Sequence, residues 1–305
     1  MMTPKFPRAS IEAEGSVAEA LRRAGRHFAY RALRALSSQA PTDSAVHEAR
    51  KQLKRARTVL RLLRPALTTR IYRQENALFR EVAHSLNAAR DATVLTQTLD
   101  SLLQGHRALS RDAQVAQLRR TLRGELAEER RRLRGSSSDL VRARSTLGRT
   151  CERITQWRLG ADDWLMLGPA LKGIYKRGRR ACPDSWPSPT STTLHGWRKK
   201  AKYLRYALEI VLPMRPRKLG RLLRQGKQLT DLLGDARDLV MLEARIQSLR
   251  PPKHKGLARL LTMCKRRRTR LELKAMTSGE ELFARRPRDF EAHLEEYWTR
   301  WRRTV

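Results

Sequence analysis

The spacing of hydrophobic residues predicts a chain made of amphipathic helices along nearly its whole length. Apolar residues recur every three or four positions, which is the period of an α-helix. Leucine and alanine dominate among them, whereas valine and isoleucine are scarce. The predicted helices span residues 16–36, 46–65, 71–102, 112–133, 139–159, 164–180, 194–213, 218–249, 255–276 and 290–301. The segments between them at 135–138, 183–193 and 251–252 are rich in Gly, Ser, Thr or Pro and predict loops.

Two of these helices carry the same charged residues 148 positions apart. His47, Arg50, Lys51, Lys54 and Arg57 of the first copy correspond to His195, Arg198, Lys199, Lys202 and Arg205 of the second. A purely structural repeat needs to keep only its apolar positions, so the repeated charges indicate a shared function. We expect each half of the chain to bring one histidine and a row of cations to a common place.

A second repeated phrase supports an internal duplication. Residues 86–91 read Leu-Asn-Ala-Ala-Arg-Asp, and residues 233–238, at an offset of 147, read Leu-Gly-Asp-Ala-Arg-Asp. Each half therefore carries a histidine helix and an Arg-Asp helix among its elements. This order predicts two similar four-helix units.

The repeated charges fall on one face of each histidine helix. At about 100° per residue, the positions that follow His47 within an arc of about 120° are Arg50, Lys51, Lys54, Arg57 and Arg61, and the opposite side is apolar. Residues 46–65 contain seven Lys and Arg but one acid, Glu48, and residues 194–213 contain five against Glu209. Like charges at this spacing repel each other. One interpretation is a solvated surface; the other is that the missing anion is a ligand.

Other cations share a helix stripe with the repeated motifs or lie beside an apolar seam. These further candidates are Arg80, Arg119, Arg123, Arg224, Lys227 and Arg268. Asp91 and Asp238 close the Arg-Asp phrases, and they either pair with arginines or support the site. Thr42, Asp43 and Ser44 are candidate caps for the first histidine helix, and Thr192 and Thr193 for the second. Pro65 and Pro213 predict the ends of these helices.

Composition restricts the class of partner. The chain has 66 Lys and Arg against 30 Asp and Glu, a formal net charge of +36. A charge of this size favours polyanions such as nucleic acid, an anionic membrane surface or a phosphate polymer. Three scattered cysteines without a CxxC pair argue against a zinc site or a disulfide framework. With no 18-residue apolar run and no signal-peptide pattern, we expect a cytoplasmic protein without membrane insertion.

The pattern His-x-x-Arg-x3-Lys-x-x-Arg, present at 47–57 and again at 195–205, resembles the CHAD family, the conserved histidine α-helical domain. The phrases at 175–180, 194–208 and 233–238 agree, and the resemblance extends from about residue 16 to about residue 300. It implies an all-α fold of two four-helix bundles, related by pseudo-twofold symmetry around a basic central cavity or pore. Residues 1–12 would form a flexible N-terminus, and 13–305 a single domain with repeats at about 13–150 and 160–305.

The resemblance also implies that the cavity binds inorganic polyphosphate, with no cofactor and no catalysis. The repeated cations and the six candidates above would line it. Location in the cytoplasm or on polyphosphate granules and the oligomeric state stay open.

Two alternatives rank lower. A nucleic-acid binder would need aromatic side chains on the basic faces, but Trp197 lies on the apolar side and Tyr203 at its boundary. A phosphohydrolase or metal enzyme would use the histidines with Asp91 and Asp238. The HxxR motif, however, lacks a second ligand one helical turn away, and the chain has no Gly-rich phosphate loop. We therefore expect neither metal binding nor catalysis.

Overall fold

The computed structural model describes residues 10–134, 138–183, 190–248 and 254–304. Within these ranges the regular elements are helical and no strand occurs, which confirms the all-α prediction. None of the helices in the described part of the chain is long and apolar enough to cross a membrane. The predicted loops at 135–138, 183–193 and 251–252 lie wholly or mostly outside the described residues, as does most of the predicted flexible N-terminus.

The helices follow the predicted order. They are α1 (Val17–Ala35), α2 (Asp43–Leu62), α3 (Thr69–Ser85), α4 (Asn87–Leu103), α5 (Arg107–Ser110), α6 (Ala113–Arg132), α7 (Ser138–Thr155), α8 (Asp163–Arg179), α9 (Ser191–Val211), α10 (Pro216–Ser248), α11 (Lys255–Leu282) and α12 (Pro287–Arg302). A short 3₁₀ turn, Leu212–Met214, follows α9. Several helices begin at a residue whose side chain caps the first turn. At α1, the Ser16 hydroxyl accepts a hydrogen bond from the N–H of Glu19.

The predicted flexible segment 1–12 extends too far. Ile11 is buried, and its N–H donates to the carbonyl of Ile210 in α9 at 3.2 Å. A single apolar residue among polar ones gives no periodic signal, so the sequence pattern does not reveal this anchor.

The single helix predicted for residues 71–102 is wrong, because the structure divides it into α3 and α4 at Leu86. The guanidinium of Arg50 in α2 donates to the Ala83 carbonyl and to the Asn87 side chain. The Ala83 carbonyl is the one that a continuous helix would offer to the N–H of Asn87. In the second half, Gly234 replaces Asn87 and α10 runs through without a break.

One continuous core joins the two halves. Helices α1, α2, α3 and α7 pack around each other, and α9 packs against α8 and α10, which in turn contact α12 and α11. Buried side chains from both sets form a single apolar cluster. A second, smaller cluster lies where α4, α5 and α6 meet the later part of α10 and the start of α11. The relation of two bundles by a pseudo-twofold axis stays a prediction at the level of the whole fold.

The helix α11 ends at Leu282 rather than at the predicted 276, and its extra turn packs against α9. A Cβ added at Gly279 would collide with the ring of Trp197, which is fully buried. Glycine here allows the two helices to approach closely, at the usual cost of glycine inside a helix.

We expect Gly279→Ala to lower the free energy of unfolding by about 1–3 kcal/mol, because the rigid indole cannot move away from the new methyl group. Gly148→Ala is the matched control, since a Cβ at that position in α7 meets nothing within 4 Å. The free energy of unfolding of the control should rise by up to about 1 kcal/mol, because alanine favours the helix more than glycine does. Urea unfolding of both variants measures the difference, and equal effects would contradict the close packing of α9 on α11.

Candidate anion-binding site

The two histidine helices bury their apolar faces as predicted. The residues of these faces that are at most 1% exposed include Ala49, Leu53, Ala56, Val59 and Leu60 in α2, Leu63 just after it, and Trp197, Ala201, Leu204, Ala207, Leu208 and Val211 in α9. Each buried leucine contributes roughly 1.5–3 kcal/mol, so turning either helix about its axis would be costly. The packing of the apolar faces therefore fixes the direction of the cationic faces.

The ends of these helices differ slightly from the prediction. Thr42 caps α2 by accepting from the Ala45 N–H at 3.2 Å, as expected. Thr190, not Thr192 or Thr193, caps α9 by accepting from the Thr193 N–H at 3.2 Å. The run Thr-Ser-Thr-Thr offers several capping hydroxyls, and sequence alone does not select among them. The helix α2 already ends at Leu62, ahead of Pro65.

α2 and α9 contact each other through reciprocal pairs. Arg55 of α2 donates to the Glu209 carboxylate of α9 through Nε at 3.0 Å and Nη2 at 2.6 Å. Arg61 of α2 lies 3.7 Å from the ring centroid of Tyr203 in α9. At the repeat offset of 148, Arg61 corresponds to Glu209 and Arg55 to Tyr203, so each contact joins the same two positions with the helices exchanged. Such reciprocity is typical of a twofold relation between antiparallel elements.

Lys54 and Lys202 lie at the centre of this crossing, and each is half-buried. Burial, followed by the charges of Arg50 and Arg198, lowers the pKa of Lys54 to about 7. Burial, followed by Arg198 and Lys54, lowers the pKa of Lys202 to about 6. Each lysine thus experiences charges from the other repeat, which places both cation rows in one cluster.

The two histidines also belong to this cluster. His47 remains in contact with solvent, yet the surrounding protein, with Arg90 and Lys202, lowers its pKa to about 4. Burial and the neighbouring Arg237 lower the pKa of His195 to about 4. The Arg237 guanidinium lies 2.7 Å from Nδ1 of His195 and donates to this neutral ring nitrogen. Both imidazoles are therefore neutral in the free protein near pH 7.

Arg50 and Arg198 occupy equivalent positions but have different surroundings. Arg50 is held by the Ala83 carbonyl and the Asn87 side chain. Arg198 lies against Gly234, where a Cβ would come within 3.0 Å of its Nη2. Its buried Nε has no hydrogen-bond partner among the described residues. A buried donor left without a partner is costly, so this nitrogen is available to an acceptor that the protein does not supply.

Arg90 and Arg237 are site residues that the sequence prediction omitted. Their charges lower the pKa values of His47, His195 and Lys54. The repeated phrase Ala-Arg-Asp contains both arginines, and its recurrence in the two halves is the signal that could identify them. We name the cluster of His47, Arg50, Lys54, Arg90, His195, Arg198, Lys202 and Arg237 the crossing cluster.

Asp91 and Asp238 lie close enough to act on the cluster. Burial lowers the pKa of Arg50 and of Arg198, and the charges of Asp91 and Asp238 respectively offset part of that lowering. Burial raises the pKa of the Asp238 carboxyl itself. Among the described residues, however, no carboxylate forms an ion pair within 4.0 Å of Arg50, Lys54, Arg198 or Lys202. Both aspartates thus moderate the positive charge without neutralising it.

A second cationic group lies beside the crossing cluster. Arg57 donates to the Asn76 side chain at 3.0 Å, and burial lowers its pKa, with further contributions from Arg61 and Arg80. Arg177 of α8, which the sequence analysis did not select, also has its pKa lowered by burial and by Arg61. In contrast, Arg205, the equivalent of Arg57, is bound by Thr230, Glu209 and Asp231.

Several predicted site residues have carboxylate partners of their own and, apart from Lys51, whose charge also contributes to the lowered pKa of His47, are not brought into the cluster. These pairs are Lys51 with Glu48 at 2.7 Å, Arg119 and Arg123 with Asp100 at 2.6 and 3.7 Å, Lys227 with Asp231 at 2.8 Å, and Arg268 with Glu243 and Glu272 at 2.9 and 3.3 Å. Lys199, Arg224 and Arg80 are exposed. A helical wheel gives the face of a residue but not the acids that a neighbouring helix brings to it.

A cavity of about 290 Å³ opens beside His195 and Arg237, between the start of α9 and the middle of α10. All of its lining residues belong to the second half of the chain. No group of three His, Cys, Asp or Glu side chains that could hold a metal ion occurs in the part of the chain that the structure describes.

Comparison with known proteins agrees with this architecture. The family model of the CHAD domain matches residues 19–247, which is more than half of the chain, so the protein belongs to the CHAD family. The fold is similar to PptA from Streptomyces chartreusis, with a TM-score of 0.64 and 19% identity over 89% of this chain and 100% of that one. It is also similar to the CHAD domain from the plant Ricinus communis, with a TM-score of 0.58 and 18% identity over 93% and 98%. At these identities the likeness concerns the fold alone. A comparison with curated proteins found no match.

The lowered lysine pKa values predict a specific pH dependence of stability. Between the folded values near 6 and 7 and the ordinary value of 10.5, Lys54 and Lys202 are neutral in the folded protein and charged in the unfolded chain. Unfolding therefore takes up protons, and stability rises with pH by up to about 1.4 kcal/mol per pH unit for each lysine. Urea unfolding from pH 7.5 to 9.5 should show a steeper rise for the wild type than for the double variant Lys54→Met, Lys202→Met. Parallel curves would contradict the buried cation pair.

Proposed function

We propose that this protein binds inorganic polyphosphate at the crossing cluster and does not convert it. The observation that carries the proposal is the meeting of half-buried cations from both repeats without an ion-paired carboxylate among the described residues. Elsewhere in the described chain, cations such as Arg119, Arg130 and Arg268 have acidic partners. A polyanion would supply the charge that the crossing cluster lacks.

Phosphate oxygens suit the donors present. Guanidinium groups bind two oxygens in parallel, and ammonium groups act as compact positive charges. A linear polyanion also releases its counterions when it binds, which contributes free energy that falls as salt rises. The Nε of Arg198, which has no acceptor among the described residues, would gain one from a bound phosphate.

The symmetry of the cluster favours inorganic polyphosphate over a single strand of nucleic acid. A polyphosphate chain reads the same in both directions, whereas a nucleic-acid strand has a direction. The reciprocal pairs of α2 and α9 present equivalent groups to a chain that runs either way. On the basic faces, Tyr203 is already covered by Arg61, so it offers little surface for base stacking.

A bound polyanion would also change the protonation of the cluster. Negative charge beside Lys54 and Lys202 favours their charged forms, which the free protein disfavours. Binding would then take up protons near neutral pH, and both lysines would become full cations only when the ligand is present. Membership of the CHAD family supports the same role. Such a protein would act in the cytoplasm or on polyphosphate granules.

The experiment compares two sets of four alanine substitutions. The site set is Arg50, Lys54, Arg198 and Lys202; the control set is Lys265, Arg266, Arg270 and Lys274, which are exposed on α11 and have the same two arginines and two lysines. We expect the site set to lose about 100-fold or more in affinity for long-chain polyphosphate at about 0.15 M salt, since contacts as well as charge are removed. The affinity of the control set should fall by only about threefold, because its four charges attract the polymer from a distance and salt screens that attraction.

Comparable losses in the two sets would mean diffuse attraction and would contradict a defined site. Circular dichroism should show unchanged helix content for both, because none of the eight side chains belongs to a buried apolar face and alanine favours helices. A parallel titration with duplex DNA at the same ionic strength should give weaker binding. Equal or tighter DNA binding would overturn the choice of polyphosphate.

A further inference from the structure

The cavity beside His195 has walls that inorganic polyphosphate does not explain. Five of its ten lining residues are apolar: Leu194, Leu233, Ala236, Val240 and Met241. A phosphate polymer has no apolar part. It therefore gains no binding free energy from an apolar wall. This wall suits a ligand with an organic group.

The first repeat has an ion pair at the equivalent place. At the repeat offsets, Asp43 corresponds to Ser191 and Thr93 to Val240. Arg130 of α6 donates to both carboxylate oxygens of Asp43, at 3.0 and 2.8 Å. The hydroxyl of Thr93 lies close enough to Asp43 to contribute to its lowered pKa. An ion pair thus occupies this position in the first repeat. The second repeat has Ser191 in place of the aspartate, and an open cavity.

Phosphate-binding groups lie directly beside the cavity. His195 and Arg237 form part of its wall and contact each other at 2.7 Å. Arg198, whose Nε has no partner among the described residues, follows one turn later on α9 and lies against Gly234 of α10. A ligand that joins an oligophosphate to an organic group can therefore occupy the cationic side and the apolar side together.

We propose that the second repeat binds a nucleoside oligophosphate, with its base in the cavity and its phosphates on His195, Arg198 and Arg237. The phosphate half of this site rests on the proposed function. The base half rests on the cavity, which at about 290 Å³ is near the lower end of the range for small ligands and has room for one heterocycle.

The lining indicates a nucleobase rather than a lipid chain. The thioether of Met241 makes favourable contacts with aromatic rings. Glu272 reaches the cavity wall, where its carboxylate is held by Arg268 and can accept from an exocyclic amino group. The hydroxyls of Ser191 and Thr192 add hydrogen-bonding groups at the rim. A lipid chain would leave these polar groups without partners.

The experiment measures the affinities of ATP and inorganic tripolyphosphate, which have similar charge, by isothermal titration calorimetry. Val240→Phe fills the cavity without changing a cation. We expect it to weaken ATP binding by about tenfold or more, and to leave tripolyphosphate within about twofold of the wild type. Val141→Phe, at an exposed valine of α7, is the matched control and should alter neither affinity. If Val240→Phe does not fold, Thr192→Trp blocks the cavity from an exposed position.

The two ligands separate the two proposals. If tripolyphosphate and longer chains fail to bind the wild type, the proposed function is wrong. If tripolyphosphate binds but the cavity-filling variant leaves the ratio of the two affinities unchanged, the nucleoside site is wrong and the phosphate site stands.

Discussion

The structure depends on one constraint. The apolar faces of α2 and α9 are buried in the core, so the cationic faces of these two helices must meet where the helices cross. Burial of the leucine and alanine faces of α2 and α9 fixes how each helix is turned. Lys54 and Lys202 are then brought together at the crossing, where burial and repulsion lower the pKa of both amines. The free protein tolerates this arrangement by disfavouring the charged forms of these lysines and of the two histidines. Hydrophobic packing thus holds a site whose electrostatics favour an anion.

The two repeats are equivalent where α2 contacts α9, and they differ in the residues around Arg50 and Arg198. The contacts of Arg55 with Glu209 and of Arg61 with Tyr203 use the same two positions in both directions. Further out, Asn87 holds Arg50, whereas at the equivalent Gly234 the Nε of Arg198 has no partner among the described residues. Within the described residues, the arginine of the first repeat is therefore bound by the protein, whereas the second repeat has one free donor and a cavity. This division allows a common phosphate site to coexist with a more selective one in the second repeat.

Periodicity was sufficient to predict the all-α fold, most helices and both buried faces, because each depends on local spacing. The duplication also predicted the histidines and the central cations. It did not predict the break at Leu86, since that break follows from Arg50 reaching a carbonyl on another helix. Nor did it show that Arg119 and Arg268 have acidic partners, which approach from neighbouring helices. Tertiary contacts of this kind are not encoded in the wheel of a single helix.

The most direct test of this account measures the free energy of unfolding of the wild type and of the double variant Lys54→Met, Lys202→Met, with and without long-chain polyphosphate at pH 7. Without the polymer, the variant should be the more stable protein, because it lacks two amines whose charged forms the folded protein disfavours and the unfolded chain does not. With saturating polymer, the order should reverse, because only the wild type gains the full binding free energy. A variant that is less stable without polyphosphate and gains as much as the wild type with it would contradict the account.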